Sequence, residues 1–125
     1  MGTSVDRGEV QAAFDAWRRA GEANDWEAFV DCFTEDGTFV NSALPEPVRG
    51  REAMRQMTRE WPNNIRTTLE WFAIDSNRVA FGWNERQGDS DTYRGMSTLV
   101  YGSNGRYSQY EGIFDTAALA AALGM

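Results

Sequence analysis

The sequence predicts an α+β fold, with helices in the first half closing over an antiparallel sheet in the second. Three observations predict it. Apolar residues recur at helical spacing as far as Trp61 and alternate with a period of two from Ile65 onward. Turn residues at Asp75-Ser76-Asn77, Gln87-Gly88-Asp89-Ser90 and Gly102-Ser103-Asn104-Gly105 divide the second half into four strands. Five Trp, seven Phe and four Tyr in 125 residues point to an unusually aromatic core or a cavity lined with rings. A long twisted sheet can curl, and helices can close its open side. The expected product is an apolar cup. The stretch from Glu35 to Met57 forms one wall of it, with Asn41 pointing inside.

The elements follow in order. Residues 1–4 read as a frayed start. A first helix begins at Asp6, whose spacing to Glu9 is that of a capping box, and buries Val10, Ala13, Phe14 and Trp17. Gly21 weakens its end. Asn24, with Glu27 three residues on, caps a second helix with Trp26, Phe29, Val30 and Phe33 on one stripe. Thr34-Glu35-Asp36-Gly37 is a turn, and Thr38 to Asn41 a short strand. Pro45 and Pro47 lack donors and break any ladder. Gly50 precedes a third helix of about ten residues carrying Met54, Met57 and Trp61, which Pro62-Asn63-Asn64 stops. Strands are expected at about 66–74, 78–87, 91–102 and 105–114, joined as a meander. A tail helix covers 116–123, with Asp115 or Thr116 as cap and Gly124 as its stop. No repeat or linker interrupts the chain, so residues 1–125 form a single domain.

Bulk properties narrow the function. The net charge is −7, which disfavours nucleic acid and acidic membrane surfaces. No apolar run approaches a membrane span, and no secretion signal opens the chain. The one cysteine, Cys32, cannot form an internal disulfide and reads as an inert buried thiol. A cytoplasmic location is expected. There is no histidine, so the commonest general base and zinc ligand are both missing. Asp89-Ser90-Asp91 lacks the other ligands of a calcium loop. No metal or cofactor is expected.

Several stretches resemble one superfamily. They are Ala23-Asn24-Asp25-Trp26-Glu27-Ala28-Phe29, Phe33-Thr34-Glu35-Asp36-Gly37-Thr38-Phe39, Val48-Arg49-Gly50-Arg51-Glu52-Ala53-Met54, and Gly105-Arg106-Tyr107 through Tyr110-Glu111-Gly112-Ile113-Phe114-Asp115. Together they resemble the nuclear transport factor 2-like superfamily. Within it they resemble the SnoaL-like group of polyketide cyclases, ketosteroid isomerases and limonene epoxide hydrolases. The resemblance implies a cone-shaped, cystatin-like roll: a curved sheet closed by three N-terminal helices around an apolar pocket. It covers nearly the whole chain and says more about fold than reaction. At the isomerases' tyrosine donor, aspartate base and second acidic donor this chain has Trp17, Asn41 and Ser97. Phe39-Val40-Asn41 is similar to the epoxide hydrolases' tyrosine-x-asparagine strand, with Asn41 at the water-holding asparagine. Asn84-Glu85-Arg86 resembles the strand carrying their arginine. Their two aspartates fall at Gly88 and Gly112.

With Asn41 facing in, strand alternation gives an inner set of Asn84, Arg86, Ser97, Leu99, Tyr110, Gly112 and Phe114. Trp17, Met54, Met57 and Trp61 close the cup from the helices, and Phe39 shares the Asn41 wall. Asn41, Arg86, Ser97 and Tyr110 are the candidate catalytic groups, holding or polarising a substrate oxygen. Trp17, Phe39, Met54, Met57, Trp61, Asn84, Leu99, Gly112 and Phe114 are the candidate substrate-binding groups. Equally, Asn41, Asn84 and Ser97 suit a buried hydrogen-bond network, and Arg86 suits an ion pair with Glu85, Asp89 or Glu111. The base has two candidates, Asp36 and Glu111.

Three functions fit. The first is a cofactor-independent enzyme that cyclises, isomerises or hydrates an apolar polyketide-, terpene- or steroid-like molecule at a carbonyl or epoxide. The second is a non-catalytic ligand-binding module. The third is an interaction domain using the outer sheet face, with Trp71, Trp83, Val100 and Tyr107 exposed. A homodimer is expected under all three.

Overall fold

The computed structural model describes residues 6–122. The expected frayed start and the Gly124 stop lie outside the described residues. Helix α1 runs Arg7–Glu22; the Asp6 carboxylate accepts from the Gly8 amide at 2.7 Å and so meets one of the amides left over in the first turn. Its buried side holds Val10, Ala13, Phe14 and Ala20. Helix α2 is Trp26–Asp31. Its cap is Asp25, which accepts from the Ala28 amide at 3.1 Å, and not the expected Asn24. Asn24 is in the left-handed region at φ 55°, which its short polar side chain tolerates. Its amide makes two 2.8 Å bonds to the Ile65 backbone, accepting from the N–H and donating to the carbonyl. The helix connection is thereby tied to the start of the meander.

Strand β1, Phe33–Asn41, begins earlier than expected. The predicted turn is a bulge inside it: Phe33 pairs Tyr107, yet Thr38 pairs Gln109, so the extra residues loop out. Strand β2 (Val48–Arg49) and helix α3 (Arg51–Arg59) follow. The meander is β3 (Ile65–Asp75), β4 (Arg78–Gln87), β5 (Tyr93–Ser103) and β6 (Arg106–Phe114), close to the expected bounds. Helix α4, Thr116–Ala122, is capped by Asp115, which accepts from the amides of Ala117 and Ala118.

The sheet order is β2-β1-β6-β5-β4-β3, with β1 parallel to β6 and the meander antiparallel. One face carries the aromatic core, in which Phe14, Phe33, Met54, Leu99 and Tyr107 are fully buried. Tyr107 donates to the Val10 carbonyl at 2.9 Å and pins α1 to the sheet. Strand β3 changes parity at Glu70. Leu69 pairs Trp83, Trp71 pairs Gly82 and Phe72 pairs Phe81, so Glu70 and Trp71 both face outward.

The outer face differs from expectation. Trp71 is exposed there as expected and Val100 is half-buried, but Trp83 and Tyr107 are buried on the inner face, and Met96 and Ile113 are exposed on the outer one instead. Among the described residues no helix is long and apolar enough to cross a membrane.

Candidate active site

A cavity of about 290 Å³ opens between the helices and the curled sheet. Its walls are rings: Trp17 from α1, Trp26 and Phe29 from α2, Phe39 from β1, Trp61 after α3, and Phe81, Trp83, Tyr93, Tyr110 and Phe114 from the meander. Many are mutually packed, as Phe39 stacks on Tyr110 at 4.4 Å and Trp26 meets Trp61 edge-on at 5.1 Å. Such contacts fix the walls and leave the interior preformed.

The strand that decides the chemistry is β4. Its inner residues are Val79, Phe81, Trp83, Glu85 and Gln87, because Phe81 pairs Ser97 and Glu85 pairs Tyr93 across the inner face. Asn84 and Arg86 point the other way. Arg86 is exposed and its Nε–H donates to the Gly88 carbonyl at 3.2 Å. The expected inner pair of Asn84 and Arg86 is therefore displaced by one residue, which reverses every side chain on the strand. Asn41 does line the cavity, so Asn41 and Arg86 lie on opposite faces of the sheet.

Glu85 was not anticipated. Its carboxylate accepts from Tyr93 Oη at 2.9 Å and from Thr67 Oγ1 at 3.3 Å. Tyr93 Oη in turn accepts from Gln87 Nε2 at 3.1 Å. No arginine reaches Glu85 among the ion pairs of the described residues. Burial pushes its pKa up, against the smaller opposing pull of the two hydrogen bonds. Burial likewise holds the Tyr93 and Tyr110 hydroxyls well above the ordinary tyrosine value. The other carboxylates considered from sequence lie elsewhere. Asp36 is exposed in the β1 bulge, and Glu111 is exposed on the outer face opposite Thr98.

The remaining candidates divide. Trp17, Phe39, Trp61, Tyr110 and Phe114 line the cavity. Ser97 is buried behind the wall, bonded to Trp83 and Tyr110. Met54 and Leu99 are fully buried in the core, and half-buried Met57 packs against it; none of the three lines the cavity. Gly112 leaves room for a neighbour, not for a ligand: a Cβ there would stand 2.6 Å from Tyr110 Oη. Asn41 Oδ1 accepts from the Ala43 amide at 2.9 Å. Its Nδ2 has no partner among the described residues. Trp17 Nε1 is buried without a partner among the described residues. At the rim, Arg18 and Glu22 form an exposed 3.7 Å pair of little energetic weight. Among the described residues no cluster of acidic or cysteine side chains is placed to hold a metal ion.

A cone of sheet and helices around a preformed, ring-lined cavity with a few inward polar groups defines an α+β domain whose chamber has the form of a small-molecule site. The SnoaL-like domain model matches residues 10–110, and the chain belongs to that family. Comparison with the curated proteins finds no match. Three solved structures are similar. A nuclear transport factor 2-like protein of unknown function from Burkholderia pseudomallei K96243 is 17% identical, with a TM-score of 0.82 over 94% of this chain and 98% of that one. TerC, co-crystallised with polyporic acid, is 17% identical, with a TM-score of 0.81 over 94% and 99%. An M. tuberculosis LEH-like epoxide hydrolase is 15% identical, with a TM-score of 0.75 over 94% and 91%. At these identities the likeness carries the fold, the cone-shaped roll expected from sequence. Enzymes are among the proteins that share it.

Proposed function

We propose that the chain is a cofactor-independent enzyme that moves a proton on a mostly apolar small molecule held in the cavity. The reaction is a cyclisation, isomerisation or hydration at a carbonyl or epoxide of a polyketide-, terpene- or steroid-like substrate. The observation that carries this reading is Glu85, a carboxylate set among rings with no cationic partner among the described residues. Its raised pKa brings it nearer neutrality, where a proton acceptor that must later return its proton works best. Tyr93 and Thr67 hold its two oxygens, leaving it to take a proton from a substrate carbon or water and give it back. Asn41 Nδ2 and Tyr110 supply donors for the substrate oxygen, and the apolar walls strengthen both by excluding water. Family membership and the epoxide hydrolase likeness support an enzyme.

Glu85→Gln tests this. It keeps the shape and one acceptor but removes the base, so turnover of a confirmed substrate should fall about 10²- to 10⁴-fold. Turnover within threefold of the parent would remove Glu85 from the chemistry. Binding without catalysis is the second reading. The observation favouring it is that no second carboxylate lines the inner wall, the only other one at the cavity being exposed Glu22 at the rim, among the described residues. Saturable binding with no product after long incubation would select it. The exposed Trp71, Met96 and Ile113 mark the face where a second copy would seat, a state that sedimentation measures.

A further inference from the structure

Three buried polar groups on the inner sheet face share one hydrogen too many. Trp83 Nε1–H donates to Ser97 Oγ at 2.7 Å, and Ser97 Oγ lies 2.9 Å from Tyr110 Oη. Trp83 is 6%, Ser97 3% and Tyr110 8% exposed, so a further partner for the set can come only through the cavity that Tyr110 lines. Three hydrogens serve two bonds, and neither hydroxyl has a third partner among the described residues.

The surplus hydrogen has two possible places. If Tyr110 donates to Ser97, then Ser97 Oγ accepts twice and its own hydrogen is stranded behind the wall. If Ser97 donates to Tyr110, the surplus belongs to Tyr110 Oη. Tyr110 lines the cavity and Ser97 does not. A buried donor without an acceptor is unfavourable, so the second arrangement gains whenever a molecule in the cavity offers an acceptor. Donation by Trp83 polarises Ser97 in the same direction and strengthens the next bond.

The rings cannot swing out of this line. The Trp83 indole lies across Gly95, where a Cβ would stand 2.2 Å from Cζ2. Tyr110 lies over Gly112 and is stacked on Phe39 with a 13° angle between planes. On β4 and β5 the chain Gln87 to Tyr93 to Glu85 runs the opposite way and ends in an acceptor. The cavity therefore has an accepting pole and, through Tyr110, a donating one.

We infer that Trp83 and Ser97 are positioning residues that turn the Tyr110 hydroxyl hydrogen toward the cavity, where it is donated to one acceptor oxygen of the bound molecule. This rests on reading the cavity as a small-molecule site and is independent of what Glu85 does.

The test compares 1-tetralone with tetralin, the same skeleton with and without a carbonyl oxygen. Calorimetry gives the affinity ratio for the parent, Tyr110→Phe, Ser97→Ala, Ser97→Thr and Trp83→Phe. Infrared spectroscopy gives the carbonyl stretch of bound 1-tetralone. The ratio should fall about tenfold in Tyr110→Phe. It should fall several-fold in Ser97→Ala, where the residue stands behind the wall, and in Trp83→Phe, where tetralin controls for the change of wall shape, and recover in Ser97→Thr. The stretch should rise toward its unbonded value in the same order. Should Tyr110→Phe not fold, the Ser97 and Trp83 variants carry the same two readouts. An unchanged ratio and stretch in these variants, or no binding of 1-tetralone to the parent at millimolar concentration, overturns the inference. Turnover is not read. A protein that selects the ketone through Tyr110 but catalyses nothing upholds this inference while removing the enzyme reading.

Discussion

Gly95→Ala, one methyl group beneath the Trp83 ring, should be among the most damaging small substitutions in the chain. The added Cβ would lie 2.2, 2.6 and 2.7 Å from Cζ2, Cη2 and Cε2 of Trp83, where real Cβ contacts are never under 3.0 Å. The ring has nowhere to go. Phe114 meets it edge-on at 5.8 Å and Tyr93 at 6.2 Å, and its N–H is bonded to Ser97. Moving the ring breaks that 2.7 Å bond and strands a buried donor, which costs about 1–3 kcal/mol. Moving the backbone instead is overpacking, also about 1–3 kcal/mol. A loss of about 3 kcal/mol follows once some of each occurs, or roughly 10 °C in Tm for a chain of this length. Urea unfolding followed by tryptophan fluorescence measures it. The decisive arm repeats the substitution in Trp83→Phe, whose shorter ring does not reach Gly95. There it should cost less than about 1 kcal/mol, a coupling of about 2 kcal/mol. A loss under about 0.5 kcal/mol in the parent, or equal losses in both backgrounds, would refute the packing argument and with it the fixed Trp83–Ser97 bond.

Other outcomes follow from the same geometry. Because the folded pKa of Glu85 is raised above its usual 4.5, the folded state holds the proton more tightly, and stability falls as pH rises from about 4.5 through the folded value. Glu85→Gln should lack this decline, so its Tm advantage over the parent is absent below pH 4.5 and grows towards neutrality; parallel Tm curves from pH 4 to 8 would contradict the burial of Glu85. Arg86→Ala should leave turnover within twofold and stability within about 0.5 kcal/mol, since the side chain is exposed on the outer face; a tenfold loss of turnover would return Arg86 to the site. Asn24→Ala loses two 2.8 Å bonds and a residue suited to φ 55°, so denaturant titration should show a loss of about 2–3 kcal/mol. Asn24→Gly should recover part of it.

The fold was readable because its punctuation is local. Asp6 caps α1, the three turns bound the strands, and the change of period after Trp61 separates helices from sheet. The site was readable in part. Asn41, Tyr110 and the rings Trp17, Phe39 and Phe114 are at the cavity because they lie on the inward phase of their elements, and Trp61 because it continues the Met54–Met57 spacing just past the end of α3. On β4 both phases end in polar residues, Asn84 and Arg86 against Glu85 and Gln87, so polarity alone does not choose between them. The beginning of the strand does choose. Val79, Phe81 and Trp83 are large where Ala80, Gly82 and Asn84 are small, and a core-facing strand keeps its bulk on one side. Extending that alternation two residues further places Glu85 inside. The parallel pairing of β1 with β6, and the exchange of Asn24 with Ile65, join residues far apart in the chain and have no local signal.

The extra residue at Glu70 is absorbed as a bulge, so both halves of one edge strand keep their side chains on the same inner face. Before it, Thr67 and Leu69 look into the hollow; after it, Phe72 and Ile74 turn towards α1, with partly exposed Phe72 packed 5.2 Å from Phe14. Were the strand to run straight through with Glu70 paired, every later side chain would change face: Phe72 would leave Phe14 and Trp71 would turn inward, whereas deleting Glu70 would keep each later pair as it stands.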